Sequence, residues 1–235
     1  MSPDLLLSPS TTPISCNGNC YTVVWAFPIY SWGIPPVVEE VMRKSPFDSA
    51  VSNAVHHMLT TCGDDIGYAD RQWRRIMKER GVKTGGAYAV VMPNTYTLMK
   101  GFDVDSTELA AAKLAAMPGA IRAVADSIKT GGADIVVRKR FSWIKSQIIY
   151  PSFKRYAMSS KPFATTAACT GCGLCARSCP MNNIIMRNGL PRWENHCALC
   201  LRCYHRCPQH AVCYGKATAG KGQYQSSFNT ARNAF

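Results

Sequence analysis

Two cysteine motifs near the C-terminus constrain this chain more than any other feature of its sequence. The pattern C-x2-C-x2-C-x3-C-P occurs once and then returns 28 residues later. The first motif contains Cys169, Cys172, Cys175 and Cys179, and the second contains Cys197, Cys200, Cys203 and Cys207. Eight of the 12 cysteines therefore belong to one internal repeat.

The spacing of these cysteines is typical of proteins that hold two [4Fe–4S] clusters. Three thiolates at every third residue curl the backbone around one cluster, and the fourth cysteine, next to a proline, reaches the other cluster. The sequence therefore predicts two crossed ligand sets. One cluster is assigned to Cys169, Cys172, Cys175 and Cys207, and the other to Cys197, Cys200, Cys203 and Cys179.

A structural zinc site is the alternative interpretation of the same cysteines. Zinc sites usually combine two separate C-x2-C pairs in one tetrahedron, and a triple motif that occurs twice fits this poorly. The repeat places Cys213 opposite Ile185, in the pair Ile184–Ile185 that we expect to pack beneath the clusters, so Cys213 is predicted to be a small core residue. Cys16 and Cys20 receive no role.

The first 160 residues alternate between strand-like and helix-like patterns. Such alternation predicts an α/β fold with a parallel sheet and helices on both faces. Strands are predicted at Tyr21–Phe27, Ala54–Thr60 and Gly86–Met92. Helices are predicted after Pro35, from Ile66 to Arg80, from Ser106 to about Gly131 with a kink at Pro118, and from Phe141 to Met158. His56 and His57 are expected to be packed or surface side chains, one on each face of their strand.

The formal net charge of +13 raises the question of nucleic acid, but the basic residues do not form one run. We expect instead a basic docking face for redox partner proteins with acidic surfaces, and no nucleic-acid binding. No apolar stretch approaches the roughly 18 residues of a membrane helix, and the start of the chain does not look like a signal peptide. The expected location is the cytoplasm; the sequence does not indicate the oligomeric state.

The C-terminal segment resembles the bacterial two-cluster ferredoxins, and the preceding part resembles the flavodoxins. Together they resemble the flavodoxin–ferredoxin fusion family of anaerobic microbes. The resemblance to flavodoxins rests on three segments, Phe27–Pro36, Thr61–Ala69 and Val90–Tyr96. It implies a flavodoxin-like parallel sheet over residues 1–160, a small α+β two-cluster ferredoxin domain over 161–215, and a flexible tail over 216–235.

The resemblance also implies an FMN site, since flavodoxin-like domains hold FMN in loops at the carboxyl ends of their strands. One flavin-facing loop would contain Tyr30, Ser31, Trp32 and Gly33. The other would contain Thr61, Cys62, Gly63, Asp64 and Tyr68. Aromatic faces can stack on the flavin ring, while backbone amides and polar groups address its nitrogens.

The sequence departs from the flavodoxin pattern at its N-terminus. The first strand, the hydroxyl-rich phosphate loop and the following helix, which hold the FMN phosphate, are not recognisable in residues 1–20. The sheet is therefore expected to be N-terminally incomplete, with Tyr21–Phe27 as an apolar edge. Two functions remain open: an electron carrier coupled to FMN or a flavin partner, whether or not it is also an oxidoreductase component, and a cluster-only carrier whose α/β domain is a docking module.

Overall fold

The computed structural model describes residues 14–15 and 21–224. It divides into two compact units. The first unit contains Met1–Pro93 and Thr107–Ala157, and the second contains Asn94–Ser106 and Met158–Phe235. The segment Asn94–Ser106 thus belongs to the same unit as the cysteine motifs, which the sequence pattern does not indicate.

The first unit is built on a parallel sheet of three strands. These are β1 (Thr22–Pro28), β2 (Val55–Cys62) and β3 (Lys83–Val91), in the order β1-β2-β3. Each lies within a few residues of a predicted strand, and both pairings are parallel, so the predicted parallel sheet is confirmed. On the far side of β3, Ile135 extends the sheet by one bridge, where the Ala89 amide donates to the Ile135 carbonyl at 2.7 Å.

The helices of the first unit cover both faces of this sheet. They are α1 (Pro36–Lys44), α2 (Ser49–Asn53), α3 (Ala69–Glu79) and α4 (Thr107–Thr130). Met42 and Trp73, from α1 and α3, are fully buried in the core with Met58 of the sheet. Val124 of α4 packs with Tyr88 on the opposite face. The alternating inward and outward side chains of parallel strands explain why one strand serves two cores.

The structure differs from the sequence prediction at the start of one helix and at the proline of another. Helix α3 begins at Ala69 rather than Ile66, because Gly67 has a positive φ of 56° that interrupts the helical backbone. Its C-terminal end is followed by Gly81 at φ 68°, as the glycine signal predicts. Helix α4 remains continuous through Pro118.

A helical segment over residues 142–157 is the last element of the first unit along the chain. It alternates α and π turns: α5 (Ser142–Ile144), a π turn (Lys145–Ile149), α6 (Tyr150–Ser152) and a second π turn (Phe153–Ala157). The prediction of one ordinary helix from Phe141 to Met158 is correct in place but not in type. Pro151 has no N–H for the α-helical bond, which is one reason why the α pattern does not continue.

His56 and His57 are buried on opposite faces of β2, as expected for packed side chains. His56 accepts a hydrogen bond from the Trp25 indole nitrogen at 3.0 Å, and its other ring nitrogen lies 2.8 Å from the Val51 carbonyl. His57 accepts from the Gly86 amide at 3.1 Å and stacks on Tyr88. Each ring therefore has at least one hydrogen-bond partner in its buried position.

The second unit, as far as residue 224, contains two small antiparallel strand pairs and two short helices. Strand β4 (Phe163–Thr165) pairs with β7 (Val212–Tyr214), and β5 (Ile184–Arg187) pairs with β6 (Leu190–Trp193). The helices are α7 (Leu174–Arg177) and α8 (Arg202–His205). Together with the sheet of the first unit, this gives the mixed α/β architecture that the sequence predicts.

The first nine residues of the predicted tail, 216–224, make defined hydrogen bonds with the rest of the second unit. The Lys221 ammonium donates to the carbonyls of Thr97, Met99 and Phe102 at 2.6–2.7 Å. The Tyr204 hydroxyl donates to the carbonyl of Gly222 at 3.0 Å. These hydrogen bonds fix the segment against the rest of the second unit. The remainder of the predicted tail, the predicted N-terminal departure, and Cys16 and Cys20 lie outside the described residues.

No helix in the described part of the chain combines the length and apolarity needed to cross a membrane.

Candidate metal centres

The internal repeat of the sequence is also a repeat of backbone conformation. In the first motif Gly171 and Gly173 have positive φ angles of 71° and 72°. The residues 28 positions later are Leu199 and Leu201, with φ angles of 52° and 57°. Asn182 and His210 form a third such pair, at 49° and 50°. The same left-handed positions therefore occur in both repeats, two within each cysteine motif and one just after it. Glycine occupies two of the three in the first repeat and none in the second.

Gly171 is required for a steric reason as well. A Cβ atom at this position would lie 2.6 Å from the Gly189 carbonyl oxygen, in the turn between β5 and β6. The motif can approach that turn only because no side chain intervenes.

Each half of the second unit contains a cavity lined by four cysteines. The space at the first site, counted together with the solvent open to it, is about 350 Å³, and that at the second is about 310 Å³. The first is lined by Cys169, Cys172, Cys175 and Cys207. The second is lined by Cys179, Cys197, Cys200 and Cys203. In each cavity, three cysteines come from one motif and the fourth comes from the other motif.

Apolar side chains complete the walls of both cavities. Leu174, Met186 and Val212 line the first, and Phe163, Ile184 and Leu201 line the second. The expectation that Ile184 and Ile185 both pack beneath the clusters is half correct, because Ile184 is buried whereas Ile185 is 44 % exposed. Strand geometry explains the difference, since adjacent residues of β5 point to opposite faces.

Backbone amides already point at three of the cysteine sulfurs. The amides of Asn183, Leu199 and Ala211 donate to Cys179, Cys197 and Cys207, each over 3.3 Å. The first and third of these contacts are again 28 residues apart. Amide donors stabilise thiolate charge, which is what a cluster ligand requires.

Burial has the opposite effect, because it disfavours the charged thiolate form of these cysteines when no metal group is bound. It raises the pKa of Cys197 to about 11 and that of Cys203 to about 12, and neighbouring cysteines add to both shifts. Burial also raises the pKa of Cys175 and Cys200. Without a bound metal group these thiols are protonated at neutral pH. Binding of a metal group would therefore release protons.

Cys213 lies outside both cavities. It is partly exposed on β7, and its thiol lies 3.5 Å from the Ala164 carbonyl across the strand pair. The prediction that Cys213 is a buried core residue is therefore wrong. Strand alternation is the reason, because Val212 takes the inward position.

The first predicted flavin loop is a tight turn after β1. Tyr30 and Gly33 exchange two backbone hydrogen bonds of 2.9 and 3.0 Å, and the central residues Ser31 and Trp32 have positive φ angles of 45° and 62°. A turn with two left-handed central residues usually prefers glycine or asparagine. A Cβ atom on Gly33 would collide with the Tyr150 ring, so the turn is held against the 142–157 helical segment.

The second predicted flavin loop follows β2 at the same edge of the sheet. Thr61 and Cys62 end the strand, and burial raises the pKa of the Cys62 thiol to about 12. Asp64 is exposed and lies 3.1 Å from the Lys139 ammonium. The Arg71 guanidinium lies 4.1 Å from the centroid of the Tyr68 ring. Gly63 lies between these residues, half-buried, and its carbonyl accepts from Lys113 at 2.9 Å.

The 142–157 helical segment joins the two loops. The Ser146 hydroxyl accepts from the Tyr68 amide at 2.7 Å and donates to the Trp32 carbonyl at 3.4 Å. The Lys145 ammonium pairs with the buried Asp65 and lies 4.9 Å from the centroid of the Trp32 ring. Lys145 and Ser146 are not recognisable from the sequence, because nothing in a local pattern shows which distant loop a helix will contact.

Within the described residues, no three histidine, cysteine, aspartate or glutamate side chains approach closely enough to share one metal ion.

Comparison with known proteins identifies the segment that contains these cavities. A family model described as a 4Fe-4S dicluster domain matches residues 168–212. This part of the chain is a ferredoxin-type domain, and its presence supports an iron–sulfur electron carrier. A search of curated proteins and a search of solved structures each found no match.

Proposed function

We propose that this protein carries single electrons through two [4Fe–4S] clusters, one in each four-cysteine cavity. One observation carries the proposal: each cavity is lined by three cysteines of one motif and the proline-linked cysteine of the other. This is the crossed arrangement that the spacing predicts. The clusters supply one-electron redox chemistry, while the chain supplies thiolates, amide donors and an apolar environment that controls access of water.

The metal content of anaerobically purified protein tests this proposal. About eight iron atoms and eight acid-labile sulfides per chain are expected. Stoichiometric zinc without sulfide would contradict it.

The ligand assignment has its own test. Cys179→Ala should damage the cluster held by Cys197, Cys200 and Cys203, while the matched variant Cys207→Ala should damage the other cluster. Electron paramagnetic resonance of the two reduced variants would then show different residual spectra. If Cys179→Ala affected only the cluster of its own motif, the crossed assignment would be wrong.

We further propose that residues 1–160 form a flavodoxin-like domain coupled to FMN or to a flavin partner, followed by the two-cluster domain at 161–215. The turn Tyr30–Gly33 and the loop Thr61–Tyr68 support this, because both lie at the carboxyl edge of the parallel sheet, where such folds bind ligands. When bound, FMN would link two-electron to one-electron chemistry.

A cluster-only carrier is the second candidate, and a specific observation favours it. In the flavin proposal the rings of Trp32 and Tyr68 stack on the flavin. In the structure the Lys145 ammonium lies 4.9 Å from the centroid of the Trp32 ring. The Arg71 guanidinium lies 4.1 Å from the centroid of the Tyr68 ring. In this alternative the α/β domain is a docking module.

Titration with FMN, followed by quenching of flavin fluorescence, separates the two candidates. Saturable quenching that disappears in Trp32→Ala, and persists in a variant of the exposed Trp143, would support the flavin site. No quenching at any concentration would favour the cluster-only carrier.

The basic character of the chain suggests the type of partner. No aspartate or glutamate occurs between Asp134 and Glu194, a stretch that includes Arg138–Arg140 and the first cysteine motif. We infer docking to redox proteins with acidic surfaces in the cytoplasm, with association rates that fall as salt increases.

A further inference from the structure

We propose that the indole N–H of Trp193 donates a hydrogen bond to a sulfur atom at the second cluster site, and that this bond makes the second cluster the easier one to reduce. The inference rests on the proposed binding of two clusters. In this role Trp193 changes the difference in reduction potential between the two clusters.

The indole nitrogen of Trp193 is a buried donor without an acceptor. It makes no hydrogen bond within the described part of the chain. An indole nitrogen can only donate, so neither a change of tautomer nor rotation of a hydroxyl can relieve it. Buried donors of this kind are rare in folded proteins and usually indicate an atom or group that the protein chain itself does not supply.

Packing fixes the position of this donor. Trp193 ends strand β6, and its ring stacks on Phe163 with a centroid distance of 5.4 Å and an interplanar angle of 12°. Both rings line the second cavity. The indole therefore cannot turn away without losing this stack.

The candidate acceptor is the sulfur of Cys203, which lines the same cavity as Trp193. The indole lies close enough to act on this thiol but makes no hydrogen bond of normal geometry with it. A protonated thiol is a weak acceptor, whereas a metal-bound thiolate or a sulfide accepts strongly. The donor thus gains its partner when the cavity is filled.

The internal repeat shows that this donor distinguishes the two sites. The residue 28 positions before Trp193 is Thr165, which lines the first cavity. The two residues are equivalent in pairing as well, because Thr165 pairs with Val212 and Trp193 pairs with Ile184, 28 positions earlier. Thr165 carries a rotatable hydroxyl that both donates and accepts, so the first cavity has no fixed donor at this position.

A fixed donor at one site has a predictable redox effect. Reduction adds negative charge to a cluster and its sulfurs, and hydrogen bonds to those sulfurs stabilise the reduced state and raise the potential. An electron on this domain should therefore reside mainly on the cluster of Cys179, Cys197, Cys200 and Cys203.

The variant Trp193→Phe tests the inference, because phenylalanine keeps an aromatic ring against Phe163 and removes the N–H. Redox titration of the anaerobic full-length protein, followed by electron paramagnetic resonance, should show that the midpoint of one cluster falls. A tenfold change in its one-electron equilibrium, about 59 mV, is expected for one charge-assisted hydrogen bond. The other midpoint should not move, and Trp143→Phe should change neither.

A measurement on the unaltered protein keeps the test valid if Trp193→Phe loses its cluster. Protein grown with indole-¹⁵N-tryptophan should show a ¹⁵N hyperfine coupling to one reduced cluster. Its absence, or equal shifts of both midpoints in Trp193→Phe, would overturn the inference while leaving the two-cluster proposal intact. Protein without iron and sulfide would instead overturn the proposed function.

Discussion

Left-handed backbone positions show how much a single residue contributes to the cysteine motifs. Leu199 and Leu201 adopt positive φ angles, which cost a non-glycine residue about 1–2 kcal/mol each. Both side chains are nearly fully buried, and burial of a leucine contributes about 1.5–3 kcal/mol. The second motif can therefore use leucine where the first motif, at Gly171, has no room for a side chain.

Gly171→Ala should lower the content of iron and sulfide after anaerobic purification. Its Cβ atom would meet the Gly189 carbonyl, and the φ of 71° would add strain. Gly189→Ala is the matched control, because its φ of 76° is similar and nothing lies within 4 Å of its Cβ position. Equal losses in both variants would mean that strain, and not the close approach, explains the glycine.

At the scale of elements, a buried ion pair between Lys145 and Asp65 joins the 142–157 helical segment to the loop that follows β2. The side chain of Asp65 is fully buried and that of Lys145 is 18 % exposed, whereas both partners of the neighbouring Lys139–Asp64 pair are more than half exposed. Asp65 also accepts a hydrogen bond of 2.6 Å from the Gly67 amide. The two pairs are close in sequence but differ in their contact with water.

Lys145→Met should destabilise the protein by about 3–5 kcal/mol, because it leaves a buried carboxylate without its partner. Lys139→Met removes an exposed pair and should cost less than about 1 kcal/mol. Denaturant unfolding monitored by tryptophan fluorescence measures both. Similar losses in the two variants would show that the Lys145–Asp65 pair is not protected from solvent.

The buried histidines of β2 make the stability of the sheet dependent on pH. Burial lowers the pKa of both His56 and His57, while the Val51 carbonyl opposes the shift of His56 and charges nearby add to that of His57. The unfolded chain therefore binds more protons than the folded chain below about pH 6.5, the usual histidine value. Stability is complete above that pH and falls as the pH decreases below it.

Unfolding free energies measured between pH 7.5 and 5.5 should therefore decrease with acidification. His56→Gln should reduce this decrease, because one of the titrating groups is removed, although the variant is less stable at every pH. A pH profile of His56→Gln parallel to that of the unaltered protein would contradict the assignment.

At the scale of the whole molecule, the two units depend on different sources of stability. The first has a core that includes Trp73, Met42 and Met58, all fully buried. The strands of the second unit contain only three or four residues. Strand pairs of that size are marginal without a further constraint, which cluster binding would supply.

Removal of iron with a chelator should unfold the second unit and leave the first largely intact. Hydrogen exchange would then show lost protection in Phe163–Tyr214 and retained protection in β2 and β3. Uniform loss of protection would indicate that the two units unfold together.

The sequence alone determined the features that depend on local spacing. Cysteines at every third residue define the metal motif, and the apolar runs at Tyr21–Phe27 and Gly86–Met92 define strands, because such patterns depend on neighbouring residues. Burial of the first of these strands is not determined in this way, since β1 lies at the edge of the sheet and alternates between exposed and buried residues. The pair Asn188-Gly189 is a local signal of the same kind, typical of a β-hairpin turn, and it lies between β5 and β6. The flavodoxin-like assignment, in contrast, remains a prediction.

Only the tertiary structure decided which distant groups meet. The contacts of Ser146 with Trp32 and Tyr68 join residues 78–114 positions apart, and no local pattern encodes them. The same holds for the carbonyls that fix Lys221, and for the unpaired indole of Trp193 beside the second cavity. Local spacing determines which residues can bind a group, whereas packing of the whole chain determines where each donor points and which of them lacks a partner.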